Sequence, residues 1–217
     1  MDYSNAWLII LGGDLPPIIP NFWPPQGIIA VDKGADNAFR LGLIPDLLLG
    51  DLDSISETAL NYYWKEDVPT VTYPEQKDFT DGQAALAEAK KRGAKKLVIL
   101  AAFGGREDHH LMNIFSAAKA AGDFEQIILP GDGFTSVICP RKFCLSAADG
   151  ELISLLALSP KVTGVCTEGL LYQLQNEDLS FGESRGLSNI LKSPNGSVSH
   201  ASGTLLLIQT INRNSKG

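Results

Sequence analysis

The chain has 217 residues, of which 44% are hydrophobic and 20% are charged, so it can bury a sizeable core and is neither disordered nor fibrous. Its 25 acidic residues outnumber its 18 basic residues and give a formal net charge of −7. Because proteins that bind nucleic acid or anionic lipid through surface charge present a basic face, this balance argues against both kinds of partner.

Cysteine usage and the amino-terminal residues both bear on location. The chain has three cysteines, Cys139, Cys144 and Cys166. An odd number does not fit the disulfide framework of a small secreted protein, so reduced thiols are expected. The apolar run at residues 6–11 follows no cationic residue and is too short for a signal-peptide core or a membrane span. We therefore expect a cytoplasmic protein.

In the first part of the chain, short apolar runs alternate with segments of helical periodicity. Strands are predicted at residues 7–11, 28–31, 47–49, 68–73, 97–101 and 126–129. Helices are predicted at residues 35–41, 57–65, 83–92 and 111–121. This alternation predicts a Rossmann-like α/β fold, in which a mostly parallel sheet is flanked by helices.

The helical patterns stop after residue 134. Apolar runs at 151–158, 169–174 and 204–211 are separated by Gly, Ser, Pro and Asn, which predicts an all-β domain, either a small antiparallel β-sandwich or a barrel. The charge divides at the same place, with 19 acidic and 11 basic residues before it and 6 acidic and 7 basic residues after it. We predict an α/β domain at residues 1–134 and a β-sandwich domain at residues 135–217.

Aspartates gather in the loops that follow the predicted parallel strands, where ligands bind in sheets of this kind. These residues are Asp32, Asp51, Asp53, Asp78, Asp81 and Asp108. One Asp in such a loop commonly caps a helix or a turn. Aspartates in several loops at one sheet edge favour a site for a hard cation such as Mg²⁺. The predicted ligands are Asp51, Asp53, Asp78 and Asp81.

Phosphate ligands are predicted at the same edge. Gly104 and Gly105 let backbone amides approach an anion, and Arg106 can form a bidentate pair with phosphate oxygens. Gly12 and Gly13, after the first strand, could act in the same way. The chain has neither a P-loop motif nor the glycine motif of dinucleotide-binding folds, so a nucleotide must be held in another way.

Local signals mark the starts of two helices beside these loops. Capping-box spacing occurs at Ser54 with Glu57 and at Thr80 with Gln83. His109 has two interpretations, as a polar residue at a helix start or as a residue that lines the site. No nucleophile elbow accompanies it, so a Ser/His/Asp triad is not predicted.

Four ordered segments resemble the motifs of the thiamin pyrophosphokinase family. Residues 32–35, 50–54, 77–81 and 104–113 are similar to the family patterns D-G-G-A, G-D-x-D-S, K-D-x-T-D and G-G-R-x-D-H-x-x-x-N. Lys33 stands at the first Gly of D-G-G-A. Further along, residues 169–172 and 179–182 resemble the family's C-terminal segments, although Leu171 replaces a basic residue.

The resemblance implies an enzyme that moves a pyrophosphoryl group from ATP to the hydroxyethyl group of thiamin and releases AMP. It also implies Mg²⁺ and a homodimer with its active sites at the subunit interface. By this resemblance Asp51, Asp53 and Asp81 hold the metal, with Asp78 and Asp108 nearby. The implied ATP-binding residues are Asp32, Lys77, Thr80, Gly104, Gly105, Arg106, Asp108, His109 and Asn113. The implied catalytic residues are Asp51, Asp53, Asp78, Asp81 and Arg106.

Thiamin would be bound in part by the C-terminal domain. By position the implied residues are Ser188 and Asn189, contributed by the partner subunit. Thiamin is a cation with flat rings, so Tyr172 either offers it a cation–π face or is an ordinary packing residue of a strand.

Phosphoryl transfer asks a protein mainly for positioning and charge neutralisation. Arg106 and Lys77 would compensate charge, and Asp78 is expected to orient or deprotonate the thiamin hydroxyl. Two alternatives stay open from the sequence. One is a Mg²⁺-dependent kinase or pyrophosphokinase for another small alcohol, and the other is a non-catalytic ligand-binding module of the same fold.

Overall fold

The computed structural model describes residues 3–21, 24–73, 78–146 and 150–210. The chain folds into two compact units. The N-terminal unit comprises residues 3–125 and 129–132, and the C-terminal unit comprises residues 126–128 together with the chain from Gly133 onward. Among the described residues, no helix is long and apolar enough to cross a membrane.

The N-terminal unit has the predicted α/β organisation. Its strands are β1 (Ala6–Ile10), β2 (Gly27–Val31), β3 (Leu47–Gly50), β4 (Thr70–Thr72) and β5 (Lys96–Leu100). Its helices are α1 (Gly34–Arg40), α2 (Glu57–Lys65), α3 (Asp81–Lys91) and α4 (Glu107–Lys119). The strands lie in the order β5-β1-β2-β3-β4, and each neighbouring pair is parallel. The prediction of a mostly parallel sheet flanked by helices is confirmed.

The core of this unit explains why its strands are continuous apolar runs. Every residue of β1, β2 and β3 is buried, as expected for parallel strands with both faces covered. Tyr63 of α2 is fully buried, and its hydroxyl donates to the carbonyls of Ala35 or Leu43, at 3.2 and 3.1 Å. Burial raises the pKa of Tyr63, so this hydroxyl stays a donor and ties α2 to α1.

The helix starts are partly as predicted. Thr80 is the N-cap of α3, and a complete capping box with Gln83 is present, so that prediction is confirmed. The prediction of Ser54 as the cap of α2 is wrong, because Ser56 occupies that position and accepts from the N–H of Ala59 at 3.3 Å. Glu57 stands three residues after Ser54 but directly after Ser56, so the capping-box spacing indicated the wrong serine.

The C-terminal unit is all-β. After β6 (Gln126–Pro130), which is divided between the units, its strands are β7 (Phe134–Ile138), β8 (Lys142–Ser146), β9 (Leu152–Ala157), β10 (Lys161–Glu168), β11 (Glu177–Ser180), β12 (Asn189–Ile190), β13 (Asn195–Ser199) and β14 (Leu205–Thr210). Antiparallel pairs join β12, β9, β14 and β7 in that order. A separate antiparallel sheet has the order β11-β10-β13-β8. These two layers confirm the predicted antiparallel, sandwich-like architecture.

The strand predicted at residues 169–174 is wrong. The chain leaves β10 at Glu168 and turns at Gly169, which has a φ of +73°. Leu174 then folds back, since its N–H donates to the Thr167 hydroxyl at 2.8 Å and its carbonyl accepts from the Thr167 N–H at 2.9 Å. The segment is therefore a loop whose buried leucines produce the apolar pattern of a strand.

Candidate active site

The loops at the carboxyl edge of the parallel sheet contain unusual backbone conformations. Asp32 directly follows β2, Leu52 follows β3 by two residues and Ala101 directly follows β5. All three have positive φ, at 45°, 67° and 52°. Left-handed backbone is costly for residues other than glycine and clusters at functional sites. The chain thus turns sharply where the predicted site residues begin.

Asp32 lies against the next strand of the sheet. Its N–H donates to the carbonyl of Leu49 at 2.9 Å, and its carboxylate lies over the α-carbon of Gly50. A Cβ at Gly50 would overlap the Asp32 carboxylate, and Gly50 has a φ of +134°. The glycine of the G-D-x-D-S motif is therefore required by the aspartate of the preceding loop.

The paired aspartates after β3 are organised locally. The N–H of Asp53 donates to Oδ1 of Asp51 at 3.2 Å, and both residues are exposed. Across the next loop, Asp78 is exposed and Asp81 is the half-buried first residue of α3. These side chains present oxygen atoms, the donors that Mg²⁺ prefers, so the chemistry of the set fits that ion.

No ready-made cage for a metal exists within the described ranges. Among residues 3–21, 24–73, 78–146 and 150–210, no three Asp, Glu, His or Cys side chains are gathered around one possible cation position. Mg²⁺ commonly uses one or two carboxylates and completes its shell with water and substrate phosphates. The four-carboxylate ligand set stays a prediction.

Thr80 and Asn113 connect the helices to this edge. The Thr80 hydroxyl accepts from the N–H of Gln83 at 3.2 Å, which leaves its own proton available to a ligand. The Asn113 amide donates to the carbonyl of Ala102 at 2.8 Å, just beyond β5. Its Oδ1 lies 3.5 Å from the position of a Cβ at Gly82, so Asn113 packs beside the first turn of α3.

The Gly104–Gly105 turn is open at Gly105 and filled at Gly104. Both glycines have positive φ, at 88° and 85°, and no atom lies within 4 Å of a Cβ position at Gly105. At Gly104 the corresponding space is filled by the carboxylate of Asp14. Asp14 was missed by sequence reasoning, although its place directly after Gly12 and Gly13 at the end of β1 was a usable signal.

The second glycine of the Gly12–Gly13 pair uses its amide within the fold. The Gly13 N–H donates to the carbonyl of Ala101 at 3.0 Å, and the Asp14 N–H donates to that of Phe103 at 2.7 Å. The prediction that the Gly13 amide is available to a phosphate is therefore wrong. Its donor instead joins the loop after β1 to the loop after β5.

Arg106 and Asp108 form a bidentate ion pair. Arg106 Nε donates to Asp108 Oδ1 at 3.1 Å, and Nη2 donates to Oδ2 at 2.6 Å. The guanidinium lowers the pKa of the Asp108 carboxyl to about 2, and the pairing raises the pKa of Arg106. The N–H of His109 also donates to Asp108, at 3.0 Å, while the His109 side chain is exposed. Lys77 lies outside the described residues.

The C-terminal unit brings together the three residues predicted for thiamin. Asn189 is buried, and its Oδ1 accepts from the N–H of Tyr172 at 3.0 Å while its Nδ2 donates to the Tyr172 carbonyl at 2.6 Å. Tyr172 keeps its side chain 62% exposed. The adjacent Ser188 is exposed, and its N–H donates to the Ser154 hydroxyl at 3.1 Å. Asn189 thus positions the backbone of Tyr172.

Two family models match the chain. Residues 22–129 match the catalytic domain of thiamin pyrophosphokinase, and residues 142–205 match its vitamin B1 binding domain. The chain belongs to the thiamin pyrophosphokinase family. The first match contains the carboxylate loops from Asp32 to Asp108, and the second contains Tyr172, Ser188 and Asn189. The family resemblance carried by the motifs is confirmed.

Curated and solved relatives agree with this family. The chain is 28% identical over 184 residues to a thiamine pyrophosphokinase of Bacillus subtilis, covering 84% of this chain and 86% of the relative. A crystal structure of thiamine pyrophosphokinase from Bacillus subtilis superimposes with a TM-score of 0.84 at 26% identity, covering 95% and 99% of the two chains. A thiamin pyrophosphokinase from Candida albicans is 17% identical and has a TM-score of 0.78 over 97% and 91% of the chains, which supports the fold.

Proposed function

We propose that this protein transfers a pyrophosphoryl group from ATP to the hydroxyl of thiamin, producing thiamin diphosphate and AMP. The observation that carries the proposal is the position of the aspartates and Arg106 in strand-end loops of the unit that matches the family's catalytic domain. The second family match, to a vitamin B1 binding domain, supports thiamin as the acceptor.

Mg²⁺ is the proposed metal, and Asp51, Asp53, Asp78 and Asp81 are the residues that would hold it together with water and phosphate oxygens. The ion would neutralise the triphosphate and polarise the attacked phosphorus. The chain's part is to hold these carboxylates at one edge. Exposure of Asp51, Asp53 and Asp78 leaves their oxygen atoms accessible to a hydrated cation.

The nucleotide would be held by groups around the same edge. The open Cα face of Gly105 permits close approach of phosphate, and Arg106 supplies charge from a position that Asp108 defines. The remaining proposed contacts come from Asp32, Lys77, Thr80, Gly104, His109 and Asn113. Asp78, which is exposed, is proposed to orient the thiamin hydroxyl and accept its proton.

Thiamin is proposed to bind in part against Tyr172, Ser188 and Asn189, contributed across the interface of a homodimer. The exposed ring of Tyr172 offers a cation–π face, while Asn189 holds its backbone. We also propose a functional division at residues 1–134 and 135–217. A cytoplasmic location is supported by the free thiols of Cys139, Cys144 and Cys166.

The deciding experiment is product identification. Purified protein is incubated with ATP, Mg²⁺ and thiamin, and the nucleotides are separated by chromatography. AMP and thiamin diphosphate in equal amounts are expected, with neither product when thiamin or Mg²⁺ is omitted. ADP as the stoichiometric product would indicate a kinase instead. AMP formation with another small alcohol but not with thiamin would indicate a different acceptor, and no turnover with any acceptor would favour a binding module.

A further inference from the structure

Lys33 lies at the carboxyl edge of the parallel sheet, in a position where its side chain fits without strain. It follows Asp32 at the end of β2 and immediately precedes α1, and it is exposed. Its φ and ψ are −53° and −16°, an ordinary helical conformation that any L-residue adopts. The backbone here has no need of the glycine that the family pattern carries, so a long side chain is accommodated.

The side chain of Lys33 begins beside the loop that follows β1. A Cβ at Gly12 would lie 3.0 Å from the Cβ of Lys33, so the two loops are in close contact. Strands β1 and β2 are paired neighbours in the sheet. Lys33 therefore stands among the strand-end loops that carry the proposed nucleotide site, with Asp32 as its direct neighbour in the chain.

The positive charge of Lys33 is not neutralised by any carboxylate that the structure describes. The carboxylate one helical turn away belongs to Asp36, and it accepts from the N–H of Ser56 at 3.2 Å and from the Ser56 hydroxyl. Among the ion pairs of the described residues, Lys33 has no carboxylate partner. Arg106, by contrast, is bound to Asp108. The ammonium of Lys33 is available to an incoming anion.

We propose that Lys33 binds a phosphate oxygen of the triphosphate donor through its ammonium group. The proposal rests on the proposed function, since that function supplies the nucleotide at this edge. An ammonium offers three donors on a flexible stem and acts on phosphate as a point charge. Together with a bound cation, it would offset the repulsion between the triphosphate and the carboxylates of the same loops.

Steady-state kinetics test the role in turnover. The variant Lys33→Met is expected to raise the KM for ATP about tenfold, because a hydrogen bond to a charged group is lost. The KM for thiamin and kcat should change by less than about threefold, and Lys33→Arg should restore most of the affinity because it keeps the charge. Lys65→Met is the matched control, since Lys65 is an exposed lysine in the last turn of α2.

Direct binding separates this proposal from the proposed function. Inorganic tripolyphosphate with Mg²⁺ is titrated calorimetrically into the full-length wild type and the three variants, with unfolding midpoints recorded for each. Weaker binding by Lys33→Met alone supports the proposal even if the wild type makes no AMP from thiamin. Equal binding by wild type, Lys33→Met and Lys65→Met overturns it even if the wild type is an active pyrophosphokinase.

Discussion

The carboxylate of Asp32 lies directly over the α-carbon of Gly50, in the space that a side chain at position 50 would occupy. Two segments of the sequence that are 18 residues apart thereby form one surface at the ends of β2 and β3. The Asp32 N–H reinforces this contact by donating to Leu49 at 2.9 Å. The aspartate of one motif and the glycine of the next are consequently one structural feature.

Replacing Gly50 should damage this feature. Gly50→Ala places a methyl group on the Asp32 carboxylate and also strains a backbone with a φ of +134°. We expect the free energy of unfolding to fall by about 3 kcal/mol and turnover to fall at least about 100-fold, because the loop must move. Urea unfolding and AMP formation measure the two effects.

Gly42→Ala is the matched control for that substitution. Gly42 also has positive φ, at +66°, but no atom lies within 4 Å of its Cβ position. Gly42→Ala should lower the free energy of unfolding by only about 1 kcal/mol, through backbone strain, and leave turnover intact. Equal losses of stability and activity in the two variants would show that the Asp32 contact is unimportant.

Asp53→Asn tests the proposed metal ligands. The substitution keeps the shape of an exposed side chain but removes its charge, so the fold should persist while kcat falls by about 100-fold or more. The Mg²⁺ concentration for half-maximal activity should rise as well. Asp67→Asn serves as the control, since Asp67 is an exposed aspartate at the end of α2 with a left-handed backbone that Asn tolerates. Normal turnover by Asp53→Asn would refute its role in metal binding.

Asp108→Asn tests whether the carboxylate positions Arg106. Loss of the two hydrogen bonds from the guanidinium should let Arg106 move, and we expect the KM for ATP to rise about fivefold. Asp178→Asn breaks a comparable exposed pair with Lys161, at 2.8 Å in the C-terminal unit, and should leave this KM unchanged. If both variants raise the KM equally, the effect is one of general surface charge.

The ion pair between Arg106 and Asp108 also predicts how activity depends on pH. Arg106 lowers the pKa of Asp108 to about 2, below its ordinary value, so the ionised pair is complete above about pH 4 and is lost as the pH falls towards 2. Between pH 5 and 9 the pair therefore stays ionised. The pH profiles of wild type and Asp108→Asn should have the same shape in that range. A new acidic limb in the variant, measured as log kcat/KM against pH, would contradict this expectation.

Substitutions at Thr80 distinguish its role as the N-cap of α3 from its proposed contact with ATP. Thr80→Ala removes the N-cap of α3 and should cost about 1 kcal/mol of unfolding free energy and about tenfold in turnover. Thr80→Ser keeps the hydroxyl and should retain the stability and the turnover of the wild type. Ser56→Ala removes the cap of α2 at a similar cost in stability but should keep turnover within about twofold. Equal activity in Thr80→Ala and Ser56→Ala would remove Thr80 from the site.

Much of the fold was predictable because its local signals agree with one another. The apolar runs of β1, β2, β3 and β5 are buried on both faces, so they stand out as short uninterrupted segments between amphipathic helices. Parallel strands all end at the same edge of a sheet. The aspartates that follow separate strands were therefore predictable as spatial neighbours from the strand pattern alone. The capping box at Thr80 is equally local and was found for that reason.

The errors arose where a long-range contact decides a local choice. Residues 169–174 have strand-like apolar spacing, but hydrogen bonds to Thr167 close them into a loop. Ser56 rather than Ser54 caps α2, and Ser56 also bonds Asp36 from a different helix. The amide of Gly13 donates its hydrogen bond to the loop after β5. No pattern along the chain carries this information.

By itself, the sequence determined the alternation of elements, the aspartate loops and the family motifs, because these depend on residue type and spacing over short distances. Only the tertiary structure decided that Asp32 requires Gly50, that Asp14 stands against Gly104 and that Lys33 forms no ion pair within the described part of the chain. Those relationships depend on which backbone comes close to which side chain once the sheet has formed. Hydrogen bonding and excluded volume between distant segments set that proximity, and neither is encoded in local periodicity.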